Sequence, residues 1–233
     1  MTRREQRRLA FLRVSGWEHV QITPLAGDAS NRRYLRLTGN PDHRRAILMD
    51  ADPNTVGMQQ AFVEMASYLI DAGFSAPHIF AADLAQGFVL LEDFGDAVFA
   101  RMLVDAPAQE AALYRSAADC LAALHRQPAA KHLLQTTPDV LAKLIAPAFE
   151  WYAAKAAPDN TQNAQTATVA LLATSLQRHA PQCSVTVLRD FHAENLIWLP
   201  GRKGICRVGL LDFQDAVIGH PAYDLVSLTR DAR

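Results

Sequence analysis

Long apolar runs are missing from this sequence: none approaches the roughly 18 residues that a membrane-spanning helix requires. Cysteine is scarce. Cys120, Cys183 and Cys206 are scattered, with no metal-ligand spacing, which argues against a disulfide framework and against a zinc site. Neither sign of charge is in excess. The net charge is −1, so there is no global basic field for nucleic acid. The start, MTRREQRRLAF, has charge but lacks the apolar core of a secretory signal. These absences point to a reducing cytoplasm, with no nucleic-acid partner and no membrane. What is present is an ordinary globular balance, 50% hydrophobic and 20% charged over 233 residues, enough for one large domain or two small lobes.

The periodicity changes along the chain. Residues 3–15 read as an amphipathic helix stopped by Gly16, with Arg3, Arg4, Arg7 and Arg8 as a solvated face. Val20–Leu25, Tyr34–Leu37 and Ala46–Met49 are short β-prone runs separated by GDASN and GNPDH, which is turn chemistry and suggests an antiparallel meander. Gln59–Ala72 has helical spacing and ends at Gly73. Gly87–Leu91 is a further strand, followed by a turn at Glu92-Asp93-Phe94-Gly95. Residues 1–95 therefore read as a small antiparallel sheet with one inserted helix, and 96–233 as a mainly helical lobe, an α+β architecture. Tyr114–His125 is its clearest helix, while residues 153–168 read as a loop. Val185–Leu188, Leu196–Leu199 and Ile205–Leu211 are strand-like, the last two flanking a hairpin turn at Pro-Gly-Arg-Lys-Gly.

The chemistry concentrates in LRDFHAENLIWL and VGLLDFQD. Asn195 sits just before one strand of the expected hairpin and Asp212 just after the other. Paired strands lie about 4.8 Å apart, so the two side chains open onto the same end of the sheet. Asp190 lies on the loop entering that hairpin. Two carboxylates and an amide oxygen are hard ligands that suit Mg²⁺. Each of the three alone reads as a turn cap or strand terminator. Their joint occurrence, with an apolar run before each acidic residue, fits phosphoryl transfer: two groups hold the metal, and a separate carboxylate takes the proton of the attacking hydroxyl.

These segments, with LLDFQDAVIGHPAYDLVSL, resemble the two signature segments of the aminoglycoside phosphotransferase and choline kinase family, which has a bilobal protein-kinase-like fold. The first usually reads H-G-D-x-H-x-x-N. This chain keeps Asp190, His192 and Asn195, with Leu188 and Arg189 in the first two places. The resemblance implies ATP and Mg²⁺, Asp190 as base, Asn195 and Asp212 on the metal, and Asp224 as a buried buttress for the catalytic loop. Leu90–Asp96 looks like the family's hinge, where backbone groups of Glu92 to Phe94 would meet adenine. Gly27, Asp28 and Ser30 lie where the family's phosphate-covering loop lies; as residues they also suit a plain hairpin turn. His125 falls in an L-x-x-L-H helix and reads as a packed structural histidine. One departure stands out. Met49 occupies the place of a strand lysine that contacts phosphate, which leaves Glu64 without its usual partner, and methionine cannot donate to phosphate. Arg33, Arg36 and Arg45 are the cations that could replace it.

SNRRYLRL, ILMDADP, DFQDAV and YDLVSLTRDAR are similar to bacterial anomeric kinases acting on N-acetylmuramate and N-acetylglucosamine in cell-wall recycling. That implies a small-molecule hydroxyl acceptor, an amino sugar, with Asp215 either contacting it or capping a helix. A same-fold kinase with another acceptor, an aminoglycoside or an amino alcohol, and a nucleotide-binding pseudokinase are the alternatives; Met49 favours the second. The family usually continues with further helices beyond the Y-D-L segment, whose loss would expose Leu225, Val226 and Leu228.

Overall fold

The computed structural model describes residues 1–25, 32–40, 45–56, 59–156 and 161–230. They form two compact units, Met1–Cys120 with His192–Asp215, and Leu121–Phe191 with the segment from Ala216 onward.

The first unit opens with α1 (Arg3–Val14), started by a capping box between Thr2 and Glu5. Gly16, at φ +76°, turns the chain out of it. The strands β1 (Gln21–Pro24), β2 (Arg33–Thr38) and β3 (Ala46–Asp50) form the expected antiparallel meander. A short helix α2 (Pro53–Val56) and then α3 (Gln60–Asp71) follow. Next come β4 (Ile79–Asp83), which the sequence pattern did not reveal, and β5 (Phe88–Glu92). Strand order is β1-β2-β3-β5-β4. Alternation sorts the two sheet faces. Leu35, Leu37, Ala46, Leu48, Phe88 and Leu90 join Phe11, Leu12 and Trp17 in one buried cluster on the α1 side. The alternate residues of β2 and β3, Tyr34, Arg36, Ile47 and Met49, therefore belong to the opposite face.

The N-terminal arginines are not a simple solvated face. Arg4 and Arg8 pair with Asp50, whose side chain is 5% exposed, and the Arg4 guanidinium lies 4.0 Å from the centre of the Phe88 ring. A carboxylate that deep needs partnered charge, and the helix supplies it.

Helices α4 (Phe99–Asp105) and α5 (Glu110–Leu124) lead out of the sheet. In the second unit, α6 (Pro138–Lys143) packs on α8 (Thr161–His179), and Gln177 donates to Asp139. A π-helical stretch, Ala148–Ala153, and the short α7 (Ala154–Ala156) precede α8. The loop expected over 153–168 is thus largely helical among its described residues. An Ala-rich composition supports helix without any apolar stripe, and α8 buries no residue. Strand β6 (Val185–Val187) belongs to this unit.

The remaining hairpin is shorter than its apolar run suggested. Strands β7 (Leu196–Trp198) and β8 (Val208–Leu210) pair with Leu196 opposite Leu210, and a 3₁₀ turn over Gly204–Arg207 takes the place of the expected start of the second strand. Strand β9 (Val217–Gly219) pairs with β6, and α9 (Ala222–Thr229) ends the described chain. On α9, Leu225 and Val226 are exposed and Leu228 is buried. No helix among the described residues is long and apolar enough to cross a membrane.

Candidate active site

A cavity of about 370 Å³ opens in the first unit. Its walls come from the sheet face opposite α1 (Tyr34, Arg36, Ile47), from Leu91 through Asp96, from Phe62 of α3, and from the β7–β8 hairpin through Asn195, Ile197, Leu211 and Asp212. The hinge segment and the two candidate metal ligands, distant in sequence, therefore share one space.

The hairpin sets the second of these walls. Leu211 N–H donates to the Asn195 carbonyl at 3.0 Å, so the pairing runs one step past the strands and holds Asn195 and Asp212 at its open end. Asp212 then takes a left-handed backbone, φ +56°, which a non-glycine residue adopts only when its surroundings enforce it. Phe213 does the enforcing. It is fully buried and stacks on Phe62 of α3 with ring centres 5.1 Å apart. The Asp212 carboxylate accepts a 2.7 Å hydrogen bond from Gln214 Nε2, and Arg32 Nη1 lies 3.9 Å from its Oδ1. Asn195 Nδ2 lies 3.4 Å from His192 Nε2.

The hinge is braced from two sides. The Asp93 side chain, 2% exposed, is ion-paired with Arg36 and Arg45, and its Oδ1 accepts from Gly95 N–H at 2.9 Å. Arg36 also reaches Asp96. Burial alone would lower the Arg36 pKa, but the hydrogen bonds to Asp96 and Asp93 outweigh it and hold the guanidinium above its ordinary range. On the other side Arg202 donates to Ser75 Oγ and to Glu92, and its guanidinium faces the Phe94 ring at 4.9 Å. Gly209 makes room for that ring: a Cβ there would lie 2.8 Å from Phe94 Cδ2. The hairpin turn thus fixes the backbone that the sequence offers for adenine.

The second unit carries Asp190 and Asp224. Asp224 on α9 is fully buried; its Oδ2 accepts from Leu188 N–H at 2.7 Å and its Oδ1 from Arg189 N–H at 2.9 Å. Ser227 Oγ donates to the Arg189 carbonyl at 3.0 Å. Arg189 sits at φ +72°. Three bonds from α9 thus hold the two residues that lead into Asp190. Burial pushes the Asp224 carboxyl up to about 6; the two N–H bonds oppose the rise, and the Asp190 charge adds to it. Burial likewise lowers the His125 pKa, in keeping with a packed histidine.

Of the residues singled out from sequence, Glu92, Phe94, Asn195 and Asp212 line the cavity. Met49 does not: it is fully buried in β3, opposite Tyr34. Glu64 is exposed on α3 and accepts from Gln60 at 2.7 Å. Asp215 is exposed in the turn after Phe213. Gly27, Asp28 and Ser30 lie outside the described residues. Arg32, Arg202 and the Phe62–Phe213 pair are the site's unforeseen parts.

Residues 21–233 match the model of the phosphotransferase enzyme family, and the chain belongs to that family. It is 37% identical, over 99% of its length and 72% of the relative's, to the N-acetylmuramate/N-acetylglucosamine kinase of Caulobacter vibrioides. It is 33% identical to the enzyme of the same name from Pseudomonas aeruginosa, with 94% of this chain matched. The chain spans 63% of that second relative's length. An aminoglycoside phosphotransferase from Streptomyces rimosus, solved with ADP and streptomycin, superposes with a TM-score of 0.64 at 17% identity, covering 98% of this chain and 83% of that one. A choline kinase from Streptococcus pneumoniae gives 0.65 at 14% identity, covering 96% and 74%. The fold is therefore the protein-kinase-like α+β fold of this family.

Proposed function

We propose that this chain is an ATP-dependent kinase whose acceptor is the anomeric hydroxyl of N-acetylmuramate and N-acetylglucosamine, acting in the cytoplasm in cell-wall recycling. The observation that carries the reading is the single cavity shared by the hinge, Glu92 to Asp96, and by Asn195 and Asp212. The relatives named above supply the acceptor class.

Adenine would meet the backbone of Glu92 to Phe94, and the phosphates would run toward Asn195 and Asp212; Gly27, Asp28 and Ser30 keep the phosphate-binding role that the family resemblance implies. An amide oxygen and a carboxylate on one wall are a hard donor pair. They fit Mg²⁺, which keeps most of its coordination for phosphate and water. Among the described residues no group of three His, Cys, Asp or Glu side chains stands together, so the site is not an all-protein metal cage. Bound there, the ion would neutralise charge on the β- and γ-phosphate oxygens. Asp190 takes the acceptor's proton as its oxygen bonds to the γ-phosphorus and the bond from that phosphorus to the β-bridging oxygen breaks, releasing ADP. Asp215 would contact the acceptor, and His192, whose Nε2 lies 3.4 Å from Asn195 Nδ2, would support the site beside Asn195.

The test is phosphate transfer from ATP to each sugar, beside Asp190→Ala. We expect transfer by the wild type and a loss of about 10³-fold in kcat in the variant, within the usual range for a positioned general base. Nucleotide binding without transfer to any amino sugar would favour another acceptor or a pseudokinase.

A further inference from the structure

We infer that Arg32 is the residue that contacts the nucleotide's phosphates in this chain, from the position just before β2 rather than from β3. The inference rests on the kinase reading and names a residue that the reading leaves open. A nucleoside diphosphate or triphosphate brings several negative charges to Asn195 and Asp212, and Asp212 adds another. A cation must face the same point.

The cations around the sheet divide clearly. Arg36 and Arg45 are engaged at the hinge end through Asp93, with Arg36 also on Asp96. Arg4 and Arg8 are engaged by Asp50. Arg33 is exposed and lies opposite Asp50 in the ladder. Arg32 alone among these is in reach of Asp212, at 3.9 Å, with its side chain only 13% exposed.

Strand geometry explains how it arrives there. Leu35 and Leu37 face α1, whereas Tyr34 and Arg36 line the cavity. Counting back by two from Tyr34 puts Arg32 on the cavity face. Tyr34 pairs with Met49, so Arg32 is the diagonal neighbour of Met49, within reach for a long side chain. Met49 is fully buried and packs the sheet, while the charge comes from the residue that leads into the adjacent strand. A planar guanidinium also suits phosphate better than a lysine would, because it donates two parallel hydrogen bonds. Without nucleotide the Arg32 guanidinium faces Asp212; with nucleotide and metal bound, phosphate oxygens take over that role.

The test is calorimetric binding of ADP and of adenosine to wild type, Arg32→Ala, Arg32→Lys and Arg33→Ala. We expect Arg32→Ala to weaken ADP by roughly 10- to 100-fold, the usual loss for a charge-assisted contact, and to leave adenosine unchanged. Arg32→Lys should recover part of the loss, and Arg33→Ala should change neither ligand. Unchanged ADP affinity in Arg32→Ala, or an equal loss for ADP and adenosine, overturns the inference. If Arg32→Ala does not fold, Arg32→Gln removes the charge while keeping much of the side chain, and the same two ligands decide. A wild type that binds neither ligand overturns the kinase reading as well, which separates the two failures.

Discussion

Two acidic loops carry the proposed chemistry, and each follows a three-residue strand, β6 before Asp190 and β8 before Asp212. Each also contains one of the two non-glycine residues with positive φ among the described residues, Arg189 and Asp212. Such a backbone costs about 1–3 kcal/mol and persists only when its surroundings hold it. The holding differs. At Arg189 it is polar, through the buried Asp224 carboxylate and Ser227. At Asp212 it is aromatic, through Phe213 on Phe62. The first clamp contains a titratable group and must respond to pH; the second contains none.

The comparison breaks first at the aromatic clamp. Phe213→Ala removes a fully buried ring, a change that typically costs about 3–5 kcal/mol. Urea unfolding should show that loss at pH 5 and at pH 8 alike. Phe213→Leu should cost less, because more of the volume remains. A loss that varied strongly with pH would show that the clamp is not apolar.

At the polar clamp the opposite is expected. Burial raises the Asp224 carboxyl to about 6, above its ordinary value of 3.8, so between those pH values the native state keeps a proton that the unfolded chain has released. The stability this contributes is complete below pH 4 and is lost as pH rises through 6, by up to about 3 kcal/mol. Asp224→Asn should cost about 1–3 kcal/mol, since an amide offers one acceptor to two buried N–H groups, and should flatten the profile between pH 4 and 6. An unchanged profile would assign that pH dependence to another group.

The two clamps were unequally legible. Asp190, Asn195, Asp212 and Asp224 stand out because a spacing, a strand pair and a motif each fix them within a few residues. The meander was legible too, because Leu35, Leu37, Ala46 and Leu48 alternate with period two. What holds those loops was not. Phe62 reads as one apolar position of a helix, and nothing local says that it meets Phe213. Arg202 reads as a turn residue, yet its partners Ser75 and Glu92 lie 127 and 110 residues away in the chain. Helix α8 lacked a buried face and so lacked a stripe to read. Arg32 had a usable cue, the period of β2 counted back past its first residue, but a turn-like segment just before it hid where that period begins.

The finest distinction lies within the polar clamp. Ser227 and Asp224 sit on the same helix, one turn apart, and hold opposite ends of the Arg189 peptide units: Asp224 takes the N–H and Ser227 donates to the carbonyl. Only the first contact is ionisable. Ser227→Ala should therefore cost about 1 kcal/mol, the usual net worth of a neutral hydrogen bond, and that cost should be the same at pH 4 and pH 7. If Arg189 orients Asp190, the variant should also lower kcat several-fold while leaving the KM for ATP unchanged, because nothing that lines the nucleotide cavity is touched. A KM change of the same size would mean that the clamp supports nucleotide binding, and the division of labour between the two loops would have to be redrawn.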